Sequence, residues 1–174
     1  RATPHILFQF GHDKQFIGPG YRSLVLSDNP NSSFFLKLNT CLGKFSYQNL
    51  FMELNNWPEY RLNNLIQKKY AAIHHLSVNI NDKLNLGLFE SVIFARGDTS
   101  EYPSIELQYL NPIIFYRSVE HGLGSPDNAT LGFDFKYNIK KKLQIYAQFV
   151  LDDLDFQYLK MDFDSLMVKY GLKK

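Results

Sequence analysis

The stretch Thr130-Leu131-Gly132-Phe133-Asp134-Phe135-Lys136-Tyr137-Asn138-Ile139 alternates between small or polar residues and apolar or aromatic ones. Successive side chains of a β-strand point to opposite faces, so this period of two predicts a strand with one apolar face. The alternation resumes over residues 143–151, after the turn Lys140-Lys141-Lys142. A turn of this length pairs Phe133 with Phe149 and keeps the apolar residues of both strands on one face, whereas a turn one residue shorter breaks that face. The stretch therefore predicts an amphipathic hairpin.

The same relation between turn length and register predicts a second hairpin, formed by residues 70–80 and 84–94 with Asn81-Asp82-Lys83 as its polar turn. This register places His74 opposite Glu90 on an otherwise apolar face. One interpretation is a cross-strand hydrogen-bonded pair near the end of a sheet. The other is a functional pair, for which the sequence offers no third member.

Weaker alternation predicts further strands, and two long segments have no regular period. The further strands are His5–Phe10, Phe34–Leu38, Lys44–Leu54 and Leu166–Leu172, the middle two being paired around Cys41-Leu42-Gly43. Only Glu59–Lys68 has a helical spacing, which predicts at most a short helix in a connection. The irregular segments, residues 11–23 and 109–128, contain several glycines and prolines and are predicted to be loops that either have a function or pack inside the protein.

Composition excludes several classes of protein. The 174 residues carry a formal net charge of +2, without the basic excess of a nucleic-acid binder. Cys41 is the only cysteine, so a disulfide framework is excluded. No apolar stretch approaches the ~20 residues of a membrane-spanning helix, although the shorter, half-polar strands of a membrane β-barrel remain possible. Because the sequence begins at Arg1, without an initiator methionine or signal segment, we interpret it as a processed chain or as a piece of a longer one.

No catalytic, metal or cofactor motif is found. The pair Gly18 and Gly20 lacks the third glycine of a dinucleotide fingerprint and the lysine of a P-loop. His121, Ser125 and Asp127 have the residue types of a hydrolase triad but lack the Gly-x-Ser-x-Gly turn that would expose the nucleophile. The sequence thus predicts a protein that is not an enzyme, with no metal and no cofactor.

Three segments carry a resemblance to a known family. The segments Gly11–Leu24, Leu110–Arg117 and Gly124–Asn128 resemble the Wzi-like capsule-assembly proteins, in particular the RemB-like members found beside gliding-motility systems. The resemblance covers about residues 5–151. It implies an outer-membrane β-barrel of a Gram-negative cell, with a role in holding capsular polysaccharide at the surface, in gliding or in adhesin function. Because family members are longer, it also implies that residues 1–174 are one β-barrel domain and a portion of a larger barrel.

The strand pattern by itself predicts an all-β, antiparallel barrel of amphipathic hairpins with long loops on one side, and aromatic content of 16% favours a membrane setting. The predicted lipid-facing residues are Leu131, Phe133, Phe135, Leu143, Ile145 and Phe149, and the predicted interior residues are Asp134, Lys136, Gln144 and Gln148. An arginine is therefore expected to cost far more at position 133 than at position 134. The alternatives are a structural partner subunit of an envelope secretion complex and a soluble, lipocalin-like binding barrel.

The two irregular loops supply the candidate site. We expect Arg22 or Arg117 to point into the barrel and to bind a carboxylate of Asp13, Glu120 or Asp127, because a guanidinium binds a carboxylate through two parallel hydrogen bonds. Such a pair would fix the loops as a plug. Alternatively these groups contact sugar, together with Tyr21, Tyr116, Asn111 and Asn128. The expected partners are outer-membrane lipid, surface polysaccharide and other envelope proteins, with no nucleic acid.

Overall fold

The computed structural model describes residues 2–55, 68–95, 112, 128–139 and 142–152. These residues form seven strands and no α-helix, which confirms the all-β class. The strands are β1 (Ile6–Asp13), β2 (Ser33–Leu42), β3 (Phe45–Asn55), β4 (Lys68–Asn79), β5 (Leu84–Ala95), β6 (Asn128–Ile139) and β7 (Leu143–Asp152). Within the same ranges, no helix has the length and apolar character needed to cross a membrane.

The seven strands form one antiparallel sheet in sequence order, β1 to β7. Both predicted hairpin registers are confirmed, since Phe133 pairs with Phe149 and His74 pairs with Glu90. Among the described residues β1 pairs only with β2 and β7 only with β6, so the sheet is not closed into a barrel. An odd number of antiparallel strands also leaves the two edge strands running in the same direction.

The predicted end of β1 and the predicted turn between β2 and β3 differ from the structure. Strand β1 continues through Gly11 and His12 to Asp13, which were expected to begin a loop, because these residues pair with the start of β2. Strand β2 runs through Leu42, which pairs directly with Phe45, so the turn is Gly43-Lys44. Gly43 has φ +58, a left-handed conformation that favours glycine.

Other predicted elements lie outside the described residues. These are the strand Leu166–Leu172 and positions 59–67 of the short helix, whose last predicted residue, Lys68, instead begins β4. Of the irregular segment 109–128, the structure describes Pro112 and Asn128, and Asn128 is the first residue of β6.

The register gives the sheet two faces, which we call the apolar face and the mixed face. The apolar face carries, among others, Phe8, Phe10, Leu36, Leu38, Phe51, Leu76, Leu88, Phe133, Phe135, Ile145 and Phe149. The mixed face carries Phe35, Leu50, Met52, Ile73 and Phe89 beside the polar residues Asn39, Gln48, His75, Asp134 and Gln148. The predicted alternation is therefore confirmed in β6 and β7, while the second face is less polar in β2–β5.

Connections of different length join the strands at the two ends of the sheet. Strands β2 and β3, β4 and β5, and β6 and β7 are joined at one end of the sheet by residues 43–44, 80–83 and 140–142. At the other end stand the strand termini that are joined by the longer segments 14–32, 56–67 and 96–127. We call this second end the long-loop end.

Candidate functional site on the mixed face

The loop of residues 14–32 crosses the mixed face instead of extending from the end of the sheet. Ile17 is buried in a cluster with Phe35, Leu50, Met52, Ala71 and Ile73 of β2–β4. Its backbone N–H donates to the carbonyl of Leu26 at 3.0 Å, which closes the loop on itself. Burial of the isoleucine and this hydrogen bond together hold the loop against the sheet.

The far side of the loop is bound by β7, mainly through Gln148. Its Oε1 accepts a hydrogen bond from the Leu24 backbone N–H at 2.8 Å, and its Nε2 donates to the Ser23 hydroxyl at 3.1 Å. The Ser23 hydroxyl in turn donates to the Ile17 carbonyl and accepts from the Val25 N–H at 3.1 Å. One glutamine side chain thus binds two adjacent loop residues, Ser23 and Leu24, to β7, and Ser23 extends the contact to Ile17.

The glycines at 18 and 20 are required by this close approach. Gly18 has φ +142, and a Cβ there would lie 2.5 Å from the Ser23 hydroxyl and 2.7 Å from Gln148 Nε2. At Gly20 a Cβ would overlap the ring of Tyr146, and the neighbouring Pro19 carbonyl accepts a hydrogen bond from Gln144 at 3.1 Å. The Gly-Pro-Gly motif therefore allows the loop backbone to lie directly on β7.

A second polar contact on the mixed face joins β4 to β6. His75 Nε2 donates to Asp134 Oδ2 at 2.8 Å, with side-chain exposures of 13% and 1%. Asp134 lies opposite Gly87 of β5, where a Cβ would be 2.5 Å from the carboxylate. The missing side chain at Gly87 therefore makes room for the pair.

Among the residues that the structure describes, three buried polar atoms near this pair have no hydrogen-bond partner. They are Asn39 Oδ1, Gln48 Nε2 and Asp134 Oδ1. Asn39, Gln48 and His75 occupy neighbouring strands in one register row, so these groups form a polar band. Such atoms are normally satisfied by water or by hydroxyl groups of a ligand. Within the described ranges, no group of three or more His, Cys, Asp or Glu residues is placed to hold a metal ion.

The structure describes the side chains of three predicted site residues, Asp13, Tyr21 and Arg22, and no hydrogen bond or ion pair joins these three. Asp13 is exposed at the end of β1, where its carboxylate accepts a hydrogen bond from the Lys14 N–H at 2.7 Å. Tyr21 is 86% exposed. Arg22 is exposed and makes no ion pair with any carboxylate that the structure describes. The positions Asn111, Tyr116, Arg117, Glu120 and Asp127 lie outside the described residues, and for Asn128 only the backbone is described.

The loop is therefore anchored by Ser23 and Gln148, which sequence reasoning did not single out as a pair. The alternation did place Gln148 on the face opposite to the apolar residues. Its contact with Ser23 joins residues 125 positions apart, and no local pattern reports such a contact.

The predicted lipid-facing residues share the apolar face. Of these, Phe133 is 51% exposed, Leu143 56%, Ile145 45% and Phe149 50%, while Leu131 and Phe135 are half-buried. The predicted interior residues Asp134, Lys136, Gln144 and Gln148 lie on the mixed face. The structure does not support the expectation that an arginine is tolerated at position 134, because the Asp134 side chain is buried against His75 and Gly87.

Comparisons of the chain with protein-family models, with curated proteins and with solved structures find no match.

Proposed function

We propose that this chain is part of an outer-membrane β-barrel that is not an enzyme and helps to hold polysaccharide at the cell surface. The observation that carries the membrane part is the exposure of the two flanks of the apolar face. There Phe8 and Phe10 of β1, Phe133 of β6 and Phe149 of β7 are each at least half exposed, whereas Ala72 and Val92 at the centre are buried. A soluble barrel or sandwich would bury its apolar face in a core. An apolar face turned outwards is what a barrel presents to lipid.

Strand length and aromatic placement support the same proposal. The strands have 8 to 12 residues, close to the ~9–11 needed to cross a bilayer at a tilt. Phe10, Phe34, Phe51, Tyr70 and Phe94 together line one groove at the long-loop end of the apolar face. Rings at the ends of the strands are typical of the aromatic girdle at a membrane interface.

The number of strands bears on how such a barrel would close. With seven antiparallel strands, β1 and β7 run in the same direction and could pair only in parallel. Membrane barrels of a single bacterial chain have an even number of antiparallel strands. The proposed barrel therefore needs an odd number of further strands between β7 and β1.

The polysaccharide part of the proposal has two supports. One is the resemblance of residues 11–24 and 110–117 to the Wzi-like capsule-assembly family. The other is the loop on the mixed face, which presents the exposed Tyr21 and Arg22 next to Ser23, whose hydroxyl is bound by Gln148. An aromatic ring beside hydrogen-bonding groups is the combination that sugars require.

Extraction and glycan analysis together test the proposal. We expect the protein to require detergent for solubility and to retain glycan after gentle purification. A protein that is soluble and monomeric without detergent contradicts the membrane part. A detergent-purified protein with a stoichiometric protein partner and no glycan contradicts the polysaccharide part and supports the partner subunit.

A further inference from the structure

A row of three polar residues interrupts the apolar face at its centre. Asn49 of β3 pairs in register with His74 of β4, which pairs with Glu90 of β5. Their exposures are 2%, 0% and 4%. We call these three residues the polar row.

The polar row lies where lipid would be least tolerant of it. Each residue is near the middle of its strand, so a membrane barrel would place all three close to the centre of the bilayer. Ionisable side chains at that depth are rare on lipid-facing surfaces and normally face protein or a water-filled cavity. Neighbouring rings enclose the histidine, with the Tyr47 and Phe51 ring centroids 5.9 Å and 6.4 Å from that of His74.

A described contact identifies what lies on this part of the face. The Tyr47 hydroxyl donates a hydrogen bond to the Pro112 carbonyl at 2.7 Å. Tyr47 is on the same face and strand as Asn49, two residues earlier. Pro112 belongs to the connection between β5 and β6, so this chain itself reaches the surface beside the polar row.

Chain length is sufficient for that position. Ala95, at the end of β5, is level with Leu54 of β3, and Tyr47 lies seven residues down β3, about 23 Å at ~3.3 Å per residue. Residues 96–111 span at most roughly 58 Å when extended, at ~3.6 Å per residue. This maximum length exceeds the distance along the sheet from the end of β5 to the level of Tyr47.

We propose that the polar row is a protein-binding surface in the wall of the barrel and that its occupant is this chain's own β5–β6 connection at Pro112. Lipid then contacts the flanks of the apolar face, on β1–β2 and β6–β7, but not its centre. The lipid part rests on the proposed membrane location, whereas the occupancy by the connection does not.

Cross-linking tests the occupant without reference to a membrane. In a Cys41→Ser background, Tyr47→Cys and Pro112→Cys are combined and treated with a short bifunctional maleimide. We expect an intramolecular cross-link, seen as a monomer of the cross-linked mass. The control pair is Phe149→Cys with Pro112→Cys, since Phe149 lies in the same register row as Tyr47 but four strands away. A cross-linked dimer would show that a second copy of the chain covers the surface. An equal cross-linking yield for the test pair and the control pair would show that the connection does not lie there. Either result overturns the proposal.

Quenching by brominated phosphatidylcholine tests the division of the face. Trp57 is the only tryptophan, so Trp57→Phe gives a silent background. Leu76→Trp and Phe133→Trp lie in one register row and therefore at one depth, beside the polar row and on the flank respectively. We expect quenching to be several-fold stronger at position 133. Equal quenching at both positions overturns the proposed division, whereas quenching at neither position contradicts the membrane location and leaves the cross-linking result to decide the occupant.

Discussion

The imidazole of His75 on β4 bonds to the carboxylate of Asp134 on β6 across the intervening strand, with Nε2 and Oδ2 2.8 Å apart. Residues two strands apart rarely meet in a sheet, because a side chain of the middle strand lies between them. Here the middle strand has Gly87 opposite Asp134, and the carboxylate occupies the space of the missing side chain. The pair therefore depends on a third residue that makes no polar contact.

Gly87→Ala is expected to destabilise the protein through this space. A Cβ at position 87 would lie 2.5 Å and 2.6 Å from the two carboxylate oxygens of Asp134, so the side chain must move and the bond to His75 must lengthen. We expect a loss of about 1–3 kcal/mol in the free energy of unfolding, measured by urea titration. The control is Gly11→Ala, where the nearest atom to a Cβ is 3.6 Å away and little change is expected. Equal effects at both glycines would contradict this account.

A double-mutant cycle isolates the bond itself. His75→Leu and Asp134→Leu each remove the hydrogen-bonding group of one partner and leave an apolar side chain of roughly similar size. Because Asp134 is only 1% exposed, we expect the two losses to be non-additive, with a coupling of about 0.5–3 kcal/mol. Additive losses in urea unfolding would mean that the two side chains act independently.

Much of the fold follows from the sequence because its cause is local. Alternation decides which face each residue takes, and turn length decides the register, so the pairs Phe133–Phe149 and His74–Glu90 could be predicted. The end of β1 was missed because Gly11, His12 and Asp13 resemble a loop in composition. Pairing with the start of β2 overrides that composition and extends the strand.

The site was less predictable because its contacts are not local. Gly18 and Gly20 are recognisable in the sequence as loop residues, but their surroundings depend on β7, more than 100 residues later. The role of Asn49 could not be predicted, because a single asparagine in an apolar strand has no evident partner until the pairing of β3 with β4 places it beside His74.

Gln148→Leu is expected to release the loop from the mixed face. The substitution removes the hydrogen bonds to the Leu24 N–H and the Ser23 hydroxyl, a loss of about 1–3 kcal/mol for the bound loop. The readout is trypsin cleavage after the exposed Arg22, which should become faster in the variant, with the fragments identified by mass.

The matched control is Gln9→Leu. Gln9 is an exposed glutamine of the same face, and its side chain makes no hydrogen bond within the described ranges. An unchanged cleavage rate in Gln148→Leu, or an equal increase in Gln9→Leu, would show that the glutamine of β7 does not hold the loop.

Phe133→Arg tests the direction of the apolar face. In water, a residue that is 51% exposed tolerates a charge, and substitutions at such sites usually change the free energy of unfolding by less than about 0.5 kcal/mol. On the lipid face near the middle of a bilayer, the same arginine costs about 2–4 kcal/mol. Phe133→Leu is the control, because it keeps an apolar side chain beside Phe149, whose ring centroid is 5.5 Å away, and should cost less than about 1.5 kcal/mol. Urea unfolding from phosphatidylcholine vesicles distinguishes the two settings. If Phe133→Arg is as stable as Phe133→Leu in this measurement, the apolar face does not contact lipid.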